Sequence, residues 1–436
     1  MFLKKWFTII LVTFACSIHA QPTYFPPLSG TTWDTLSPNR LGWCQPKIDS
    51  LYNYLESTGT DAFIILKDGK IVLEKYFGLF TQDSIHYWAS AGKSLTAMMV
   101  GIAQQKGLLN INDSVSRYLG VGWTSETRQK EKLITIKSLL TMTGGMDDQP
   151  ASPCDNLSQL PACLQYKADA GTRWSYHTGA YRKLEDVVST VTGQNYTAAT
   201  NTFIGSKIGM NGLWFQSVYY SKPRDMARFG LLALNKGIWH NDTVLRDTAY
   251  YRAMTNTSQN FNLSYGYLWW LNGKASAMVP YSQIVFPVKL IRNAPDDLIC
   301  ALGKNDQKIY VVPSQKMVIV RVGGSAYEAD AVSTYDTLIW SYINRLSDGC
   351  MASTVIENKI APDLRLFPNP ANNFITFRGM METSTTHYII TNLYGQTISE
   401  GDTQNHTLDI SALSAGTYIL MLQNEGRTAT GQFIKL

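Results

Sequence analysis

Ser90 and Lys93, in the run SAGK, form the strongest candidate for chemistry in the chain. Residues 91–106 are predicted to form a helix, because apolar side chains recur there at helical spacing and Gly107 ends the run. Ser90 then lies at a helix N-terminus, with Lys93 on the same face. A lysine can activate a serine once burial or neighbouring cations lower its pKa. Taken alone, the motif fits an N-cap serine with a solvated lysine equally well.

Two further runs supply candidates that are weak by themselves. Tyr176, in GTRWSYHTG, could relay protons beside a cation, although a packed loop aromatic explains it as well. The neighbouring His177 is a candidate for a cleft wall, with a structural role as the alternative. The run ALGKNDQ, residues 301–307, enters a predicted hairpin. An edge strand there could aim a backbone N–H at a developing oxyanion, and an ordinary strand is the alternative.

The elements predicted to position these residues lie at both ends of a mostly helical block, residues 110–270. Turn signals and alternating apolar residues predict two hairpins, whose turns are Lys67-Asp68-Gly69 and Pro313-Ser314-Gln315. The predicted strands are residues 62–66, 70–77, 308–312 and 317–322, and the predicted flanking helices are residues 46–55 and 331–346. The segment 272–299 is expected to shape the pocket.

Several runs, in order, resemble the class C β-lactamase-related hydrolases over about residues 45–346. The runs are SAGK, ITIKSLLTMTGGMDD (134–148), AGTRWSYHTGAYRKLEDVVSTVTG (170–193), SKPRDMARFGLLALNKGIW (221–239) and YGYLWWL (265–271). The resemblance implies an α/β fold of the serine β-lactamase/transpeptidase type. Such a fold has an antiparallel sheet flanked by helices and a helical subdomain.

The same resemblance implies a role for each matching residue. Ser90 would be the acylated nucleophile, and Lys93 and Tyr176 would share the proton transfers, with either one as the main base. The oxyanion hole would use the backbone N–H groups of Ser90 and Lys304, and Gly303 would join His177 as a cleft candidate.

Two departures from the family pattern argue against penicillin as the main substrate. The Tyr-x-Asn motif reads Tyr176-His177-Thr178, so a substrate-binding amide is missing, and a Lys-Thr-Gly motif is absent. The run ALGKNDQKIYVVP instead resembles the 6-aminohexanoate-oligomer hydrolases and related esterases. We therefore expect an exported serine hydrolase that cleaves a small-molecule or peptide-like ester or amide. The alternatives are a D-alanyl-D-alanine peptidase or penicillin-binding protein, and a non-catalytic binding module on the same fold.

The C-terminal residues 363–436 resemble the type IX secretion sorting domain of Bacteroidetes. The resemblance rests on LRLFPNPANNFITF (364–377), LYGQTI (393–398), DISALSAGTYILML (409–422) and the final Lys435-Leu436. Alternating runs separated by turn residues predict a small all-β sandwich there. The resemblance implies the type IX machinery as a partner, and a secreted or surface location reached through the periplasm of a Gram-negative bacterium. A carbohydrate-binding sandwich is the competing interpretation, which the absence of Trp from the tail disfavours.

The N-terminus indicates export independently. Lys4 and Lys5 precede a short apolar run, and a cleavage site follows Ala20, as in a secretory signal peptide. The expected organisation is therefore a signal peptide (1–20), a hydrolase domain (21–350), a linker (351–362) and a sorting domain (363–436). Export permits disulfides. We expect the bridges Cys154–Cys163 and Cys44–Cys350, with Cys300 as a buried free thiol.

Composition excludes several other classes. The chain has 436 residues, 45 % of them hydrophobic and 16 % charged, which excludes a disordered chain. A net charge of +5, without basic clusters, does not support nucleic-acid binding. The six histidines lack ligand spacing, so neither a metal nor another cofactor is expected.

Overall fold

The computed structural model describes residues 23–327, 334–350, 364–378, 386–393, 396–424 and 427–436. The predicted signal peptide and linker lie outside these residues. The chain divides into two compact units, Met1–Cys350 and Met351–Leu436. Within the described residues, no helix combines the length and the apolar character that crossing a bilayer requires.

The first unit contains both helices and strands. Its helices are α1 Gln45–Ser57, α2 Gly92–Gln105, α3 Ser116–Leu119, α4 Arg128–Glu131, α5 Ile136–Leu140, α6 Thr178–Thr192, α7 Tyr196–Thr200, α8 Ser206–Ile208, α9 Pro223–Leu234, α10 Thr248–Met254 and α11 Thr334–Asn344. Its strands are β1 Thr60–Lys67, β2 Lys70–Tyr76, β3 His86–Tyr87, β4 Gly212–Phe215, β5 Val218–Ser221, β6 Ile238–Trp239, β7 Asp242–Thr243, β8 Trp270–Leu271, β9 Ile299–Gly303, β10 Gln307–Val312 and β11 Met317–Gly323.

Six of these strands form one antiparallel sheet in the order β2-β1-β11-β10-β9-β8. Strand β11, the second strand of the C-terminal predicted hairpin, also pairs with β1 of the other hairpin, so that Val320 is opposite both Ile64 and Ile309. The turn between β1 and β2 has positive φ at Asp68 (51°) and Gly69 (84°), the conformation that a two-residue hairpin turn favours. Both predicted hairpins are thus confirmed.

Helices cover both faces of this sheet, as adjacent residues of β10 show. Ile309 faces α9, where a Cβ on Gly230 would come within 3.0 Å of the Ile309 side chain, so glycine lets the helix pack closely. Tyr310 faces the other way and makes an edge contact with Trp340 of α11. The predicted fold class is confirmed.

Both expected disulfides are present, and they constrain different parts of the first unit. Cys44 caps α1 and is bonded to Cys350, which follows α11, while Cys154 and Cys163 close a short loop. Cys300 is buried and free. Burial raises the pKa of its thiol well above the usual range, so it remains protonated.

The second unit is built from two antiparallel sheets, ordered β12-β13-β16 and β15-β14-β17-β18. Its strands are β12 Arg365–Phe367, β13 Phe374–Arg378, β14 Thr386–Asn392, β15 Thr397–Thr403, β16 Thr407–Asp409, β17 Gly416–Asn424 and β18 Arg427–Lys435. The sequence indicated β13, β14, β16 and β17 but not the other three. Strand β12 has only three residues, and polar side chains in β15 and β18 weaken the alternation that identifies a strand.

Candidate active site

Ser90 lies in a short 3₁₀ turn, Ala89–Ala91, immediately before α2. The turn is anchored by the buried Trp88, whose indole N–H donates to Ser221 Oγ at 2.8 Å and whose backbone N–H donates to the Tyr219 carbonyl. Ala89 adopts a left-handed φ of 48°, an uncommon conformation for alanine. The expectation that Ser90 opens the α-helix is therefore not met. The serine lies in a bent turn that leads into the helix.

Lys93 is almost fully enclosed in the first turn of α2, with 2 % of its surface exposed. Its Nζ lies 2.8 Å from Ser90 Oγ and 3.5 Å from Thr178 Oγ1. It also faces the rings of Tyr176 and Tyr181, at 4.9 and 4.2 Å from their centroids. The alternative of a solvated lysine is therefore wrong.

This enclosure determines how Lys93 titrates. Burial lowers the pKa of its ammonium well below the usual range, and the positive charge of Arg182 lowers it further, while Glu185 acts in the opposite direction. A neutral amine 2.8 Å from a serine hydroxyl can accept its proton.

Tyr176 packs against Lys93 and is stacked on Trp270, with the two ring centroids 5.9 Å apart. Burial raises the pKa of its phenol, and a hydrogen bond with the Ser90 side chain only partly opposes this effect. The phenol form is thus favoured over the phenolate. These two pKa directions favour Lys93 over Tyr176 as the base.

Asn156 fixes the backbone that carries Tyr176. Its buried amide group donates to the carbonyls of Asp148 and Tyr176, both at 3.0 Å, and its Oδ1 accepts from the Thr178 N–H at 2.8 Å. Asn156 lies inside the loop that the Cys154–Cys163 bridge closes. Sequence reasoning missed this residue, although the predicted bridge around it was a signal.

Thr178 occupies the position where an amide was expected from the resemblance. Its hydroxyl lies 3.5 Å from Lys93 Nζ and is a short polar group that faces the lysine. The Tyr-x-Asn departure therefore leaves the lysine with a hydroxyl neighbour rather than an amide.

Gly303, at the end of β9, approaches the serine turn closely. A Cβ at this position would lie 2.4 Å from the Trp88 carbonyl oxygen and 3.1 Å from the Ala91 nitrogen, so a larger residue would separate the strand from the turn. The next residue, Lys304, is thereby held beside Ser90, and both line the same cleft. This proximity fits an oxyanion hole made from their backbone N–H groups.

His177 is placed differently from the other candidates. Its Nδ1 accepts from the Ala180 N–H at 3.1 Å and so caps α6. Burial lowers the pKa of its imidazole to about 4, which keeps the ring neutral and able to accept this bond. It is not among the residues that line the cleft, whereas Gly303 is.

The cleft in front of Ser90 has a volume of about 600 Å³. One part of its wall is apolar or aromatic: Leu157, Tyr176, Trp270, Pro280, Tyr281 and Leu302. Another part carries Lys308, which is buried between Asp306 at 2.9 Å and Asp336 at 3.0 Å. Sequence reasoning missed this ion cluster, since Asp336 belongs to α11 and strand β11 lies between it and Lys308 along the chain.

Comparison with known proteins agrees with this architecture. Residues 53–341 match the family model described as Beta-lactamase, and the chain belongs to this family of serine hydrolases. Residues 365–436 match the model of the Secretion system C-terminal sorting domain. The sorting domain indicates export to the cell surface or to the outside of the cell.

Individual relatives are distant. A Bacillus subtilis protein named as a penicillin-binding protein is 28 % identical over 39 % of this chain and 45 % of its own length. The 6-aminohexanoate-dimer hydrolase of Paenarthrobacter ureafaciens is 25 % identical over 46 % of this chain and 58 % of its own length. The chain thus spans only about half the length of these two relatives.

A solved structure from Bacillus anthracis, named for 6-aminohexanoate-dimer hydrolase activity, has a TM-score of 0.55 at 19 % identity. The match covers 74 % of this chain and 90 % of that one. At this identity the likeness shows the fold alone.

Proposed function

We propose that this protein is an exported serine hydrolase that cleaves an ester or amide bond through an acyl-enzyme on Ser90. The observation that carries the proposal is the 2.8 Å separation of Ser90 Oγ from Lys93 Nζ, with the lysine buried and its pKa lowered. A nucleophile adjacent to a base with a suitable pKa is the arrangement that covalent catalysis requires.

In the acylation step, Ser90 Oγ attacks the substrate carbonyl carbon and its proton passes to Lys93 Nζ. The ring faces of Tyr176 and Tyr181 then lie 4.9 and 4.2 Å from the ammonium that forms, where they stabilise its positive charge. The negative charge on the carbonyl oxygen is met by the N–H groups of Ser90 and Lys304.

Tyr176 completes the proton transfer. As a phenol it donates its proton to the departing alkoxide or amine and regains one from Lys93, which restores the neutral base. Water then attacks the acyl-enzyme with the same groups acting in reverse, and Ser90 is released.

The substrate class follows from what the cleft presents. The chain has no Lys-Thr-Gly motif, and Thr178 stands where an amide would bind substrate, so a β-lactam is not the expected substrate. An ester or a simple amide needs only the nucleophile, the base and the oxyanion donors.

Labelling with a fluorophosphonate, followed by intact-mass measurement, tests the proposal. We expect one adduct per chain, located on Ser90 by peptide mapping and absent in Ser90→Ala. The matched control is Ser94→Ala, which removes a hydroxyl from the same helix, because Ser94 Oγ donates instead to the Leu268 carbonyl. A well-folded wild-type protein that gives no adduct, or an adduct elsewhere, would refute the proposal and favour a non-catalytic binding module.

A substrate screen then separates the two enzymatic alternatives. The wild-type protein, once shown to form the fluorophosphonate adduct on Ser90, is incubated with short esters, short amides and peptides that end in D-alanyl-D-alanine. Turnover of the esters or amides supports the proposal. Turnover confined to the D-alanyl peptides would identify a D-alanyl-D-alanine peptidase instead.

A further inference from the structure

A hairpin that includes residues 279–288 exposes an unusual amount of apolar surface beside the cleft. Its sequence, VPYSQIVFPV, contains no charged residue. Tyr281 is 55 % exposed, Ile284 63 % and Val285 50 %. Single exposed apolar side chains are ordinary, whereas a cluster of them marks a surface that binds something.

The backbone of this hairpin is held in place by hydrogen bonds. Ala277 and Phe286 exchange two backbone bonds, of 3.0 and 2.9 Å. Gln283 donates to the Trp174 carbonyl at 3.1 Å, and Gln149 donates to the Tyr281 carbonyl at 2.9 Å. The exposed apolar side chains thus belong to a hairpin whose backbone is held by hydrogen bonds and which contacts the segment that carries Tyr176.

This surface is continuous with the apolar wall of the cleft. Pro280 and Tyr281 line the cleft together with Leu157 from the disulfide-closed loop. Leu157 is itself 51 % exposed, and Leu160, farther along the same loop, is 67 % exposed. An apolar track therefore leads from the neighbourhood of Ser90 to the protein surface.

We propose that this track, from Leu157 and Tyr281 out to Ile284, binds a hydrocarbon chain of the substrate, so that the enzyme prefers esters or amides with medium or long alkyl or acyl chains. The inference rests on the proposed function and adds a substrate class to it. The ten residues of 279–288 offer no charge that would pair with an ionic group, whereas they offer a hydrocarbon chain several apolar side chains. On the opposite wall, Lys308 is already paired with Asp306 and Asp336.

The physical consequence is a dependence on chain length. Each methylene that leaves water for an apolar surface contributes free energy equivalent to about a twofold to fourfold gain in apparent affinity. The reaction rate at low reagent concentration should therefore rise with chain length until the track is filled, and the steepness should depend on Tyr281 and Ile284.

The test compares ethyl, butyl and octyl fluorophosphonates as probes of Ser90, using the full chain and concentrations below micelle formation. Intact-mass measurement gives the labelling rate for each probe. For the wild-type protein we expect octyl labelling to exceed ethyl labelling by at least tenfold. Tyr281→Ser and Ile284→Ser should each reduce this ratio at least threefold. Leu79→Ser, at a position 99 % exposed and outside the cleft lining, should leave the ratio unchanged.

The outcomes separate this inference from the proposed function. Labelling of Ser90 at a rate independent of chain length would overturn the inference while the nucleophile assignment stands. A wild-type preference that neither variant reduces would also overturn it, since the chain would then bind elsewhere. If Ile284→Ser converts a dimer to a monomer without changing the ratio, the surface is an interface between copies and the inference is wrong. No labelling at all would refute the proposed function first.

Discussion

Asn156 and Tyr176 are joined by a hydrogen bond from the buried side-chain amide to the backbone carbonyl, at 3.0 Å. The same side chain accepts from the N–H of Thr178, so one residue holds the backbone on both sides of His177. The position of the Tyr176 phenol thus depends on a residue twenty positions earlier in the chain, inside the short loop that the Cys154–Cys163 disulfide closes.

The first prediction follows from these hydrogen bonds of Asn156. Asn156→Asp keeps the size of the side chain but removes the N–H donors, which leaves the carbonyls of Asp148 and Tyr176 unpaired. We expect the free energy of unfolding to fall by about 1–3 kcal/mol. We also expect the labelling rate of Ser90 to fall at least tenfold, because misplacement of a proton donor slows the reaction. A labelling rate equal to that of the wild type in a folded variant would show that Tyr176 needs no such support.

The second prediction concerns the identity of the base. Lys93→Arg retains a positive charge near Ser90 but cannot lose its proton, since a guanidinium remains charged in proteins. If Lys93 is the base, the labelling rate should fall by orders of magnitude. Lys106→Arg, at the C-terminal cap of the same helix, is the matched control and should label Ser90 at the wild-type rate. A crystal structure of the Lys93→Arg variant would control for crowding. Near wild-type labelling would assign the base role to Tyr176.

The third prediction concerns pH and Glu185. Burial raises the pKa of this carboxyl to about 7, and its Oε1 has no hydrogen-bond partner in the described structure. When ionised, Glu185 raises the pKa of Lys93 and so disfavours the neutral amine. Below pH 7 the carboxyl is mainly protonated, as neutral as glutamine, so Glu185→Gln should behave like the wild type there. Above pH 7 the variant should label faster, because its Lys93 loses a proton more readily.

The control for this experiment is Glu126→Gln. Glu126 is a second carboxyl with an unpartnered Oε1 and a pKa raised to about 7, but its charged neighbours are Glu131, Asp169 and Lys130 rather than Lys93. Its pH profile of labelling should match that of the wild type. Equal profiles for both variants would contradict the coupling of Glu185 to Lys93.

The fourth prediction separates the two disulfides. Replacing Cys44 and Cys350 by Ser removes the link between α1 and the end of α11, and typical losses for a native bridge are about 2–5 kcal/mol. This variant should melt earlier and still label Ser90 at the wild-type rate when it is folded. Replacing Cys154 and Cys163 should instead slow labelling, since it loosens the loop that contains Asn156. The reverse pattern of effects would contradict the role assigned to the short loop.

The fifth prediction concerns the sorting domain. Deletion of residues 363–436 should leave the labelling of Ser90 intact, because every residue that lines the cleft belongs to the first unit. In a host with the type IX machinery, the truncated protein should remain in the periplasm. Cell fractionation with an antibody to the first unit measures this. A truncated protein found at the cell surface would show that another segment directs the last step of export.

The sequence alone was sufficient for features that depend on local spacing. The hairpins around Gly69 and Pro313 follow from turn residues between alternating strands, and the pair Ser90 and Lys93 follows from a spacing of three on a helix. The disulfide pairing was also predictable, because Cys154 and Cys163 are close along the chain. Strands β12, β15 and β18 of the second unit were not predictable, since β12 has three residues and the polar residues of β15 and β18 carry little periodic signal.

Only the tertiary structure decided which of these residues act together. The burial of Lys93 results from the aromatic rings of Tyr176 and Tyr181, which lie more than eighty residues away along the chain. That His177 caps a helix while Gly303 approaches the serine turn likewise depends on how α6 and β9 pack around Ser90. A pKa shift arises from the removal of water by distant segments, so it has no local signature in the sequence.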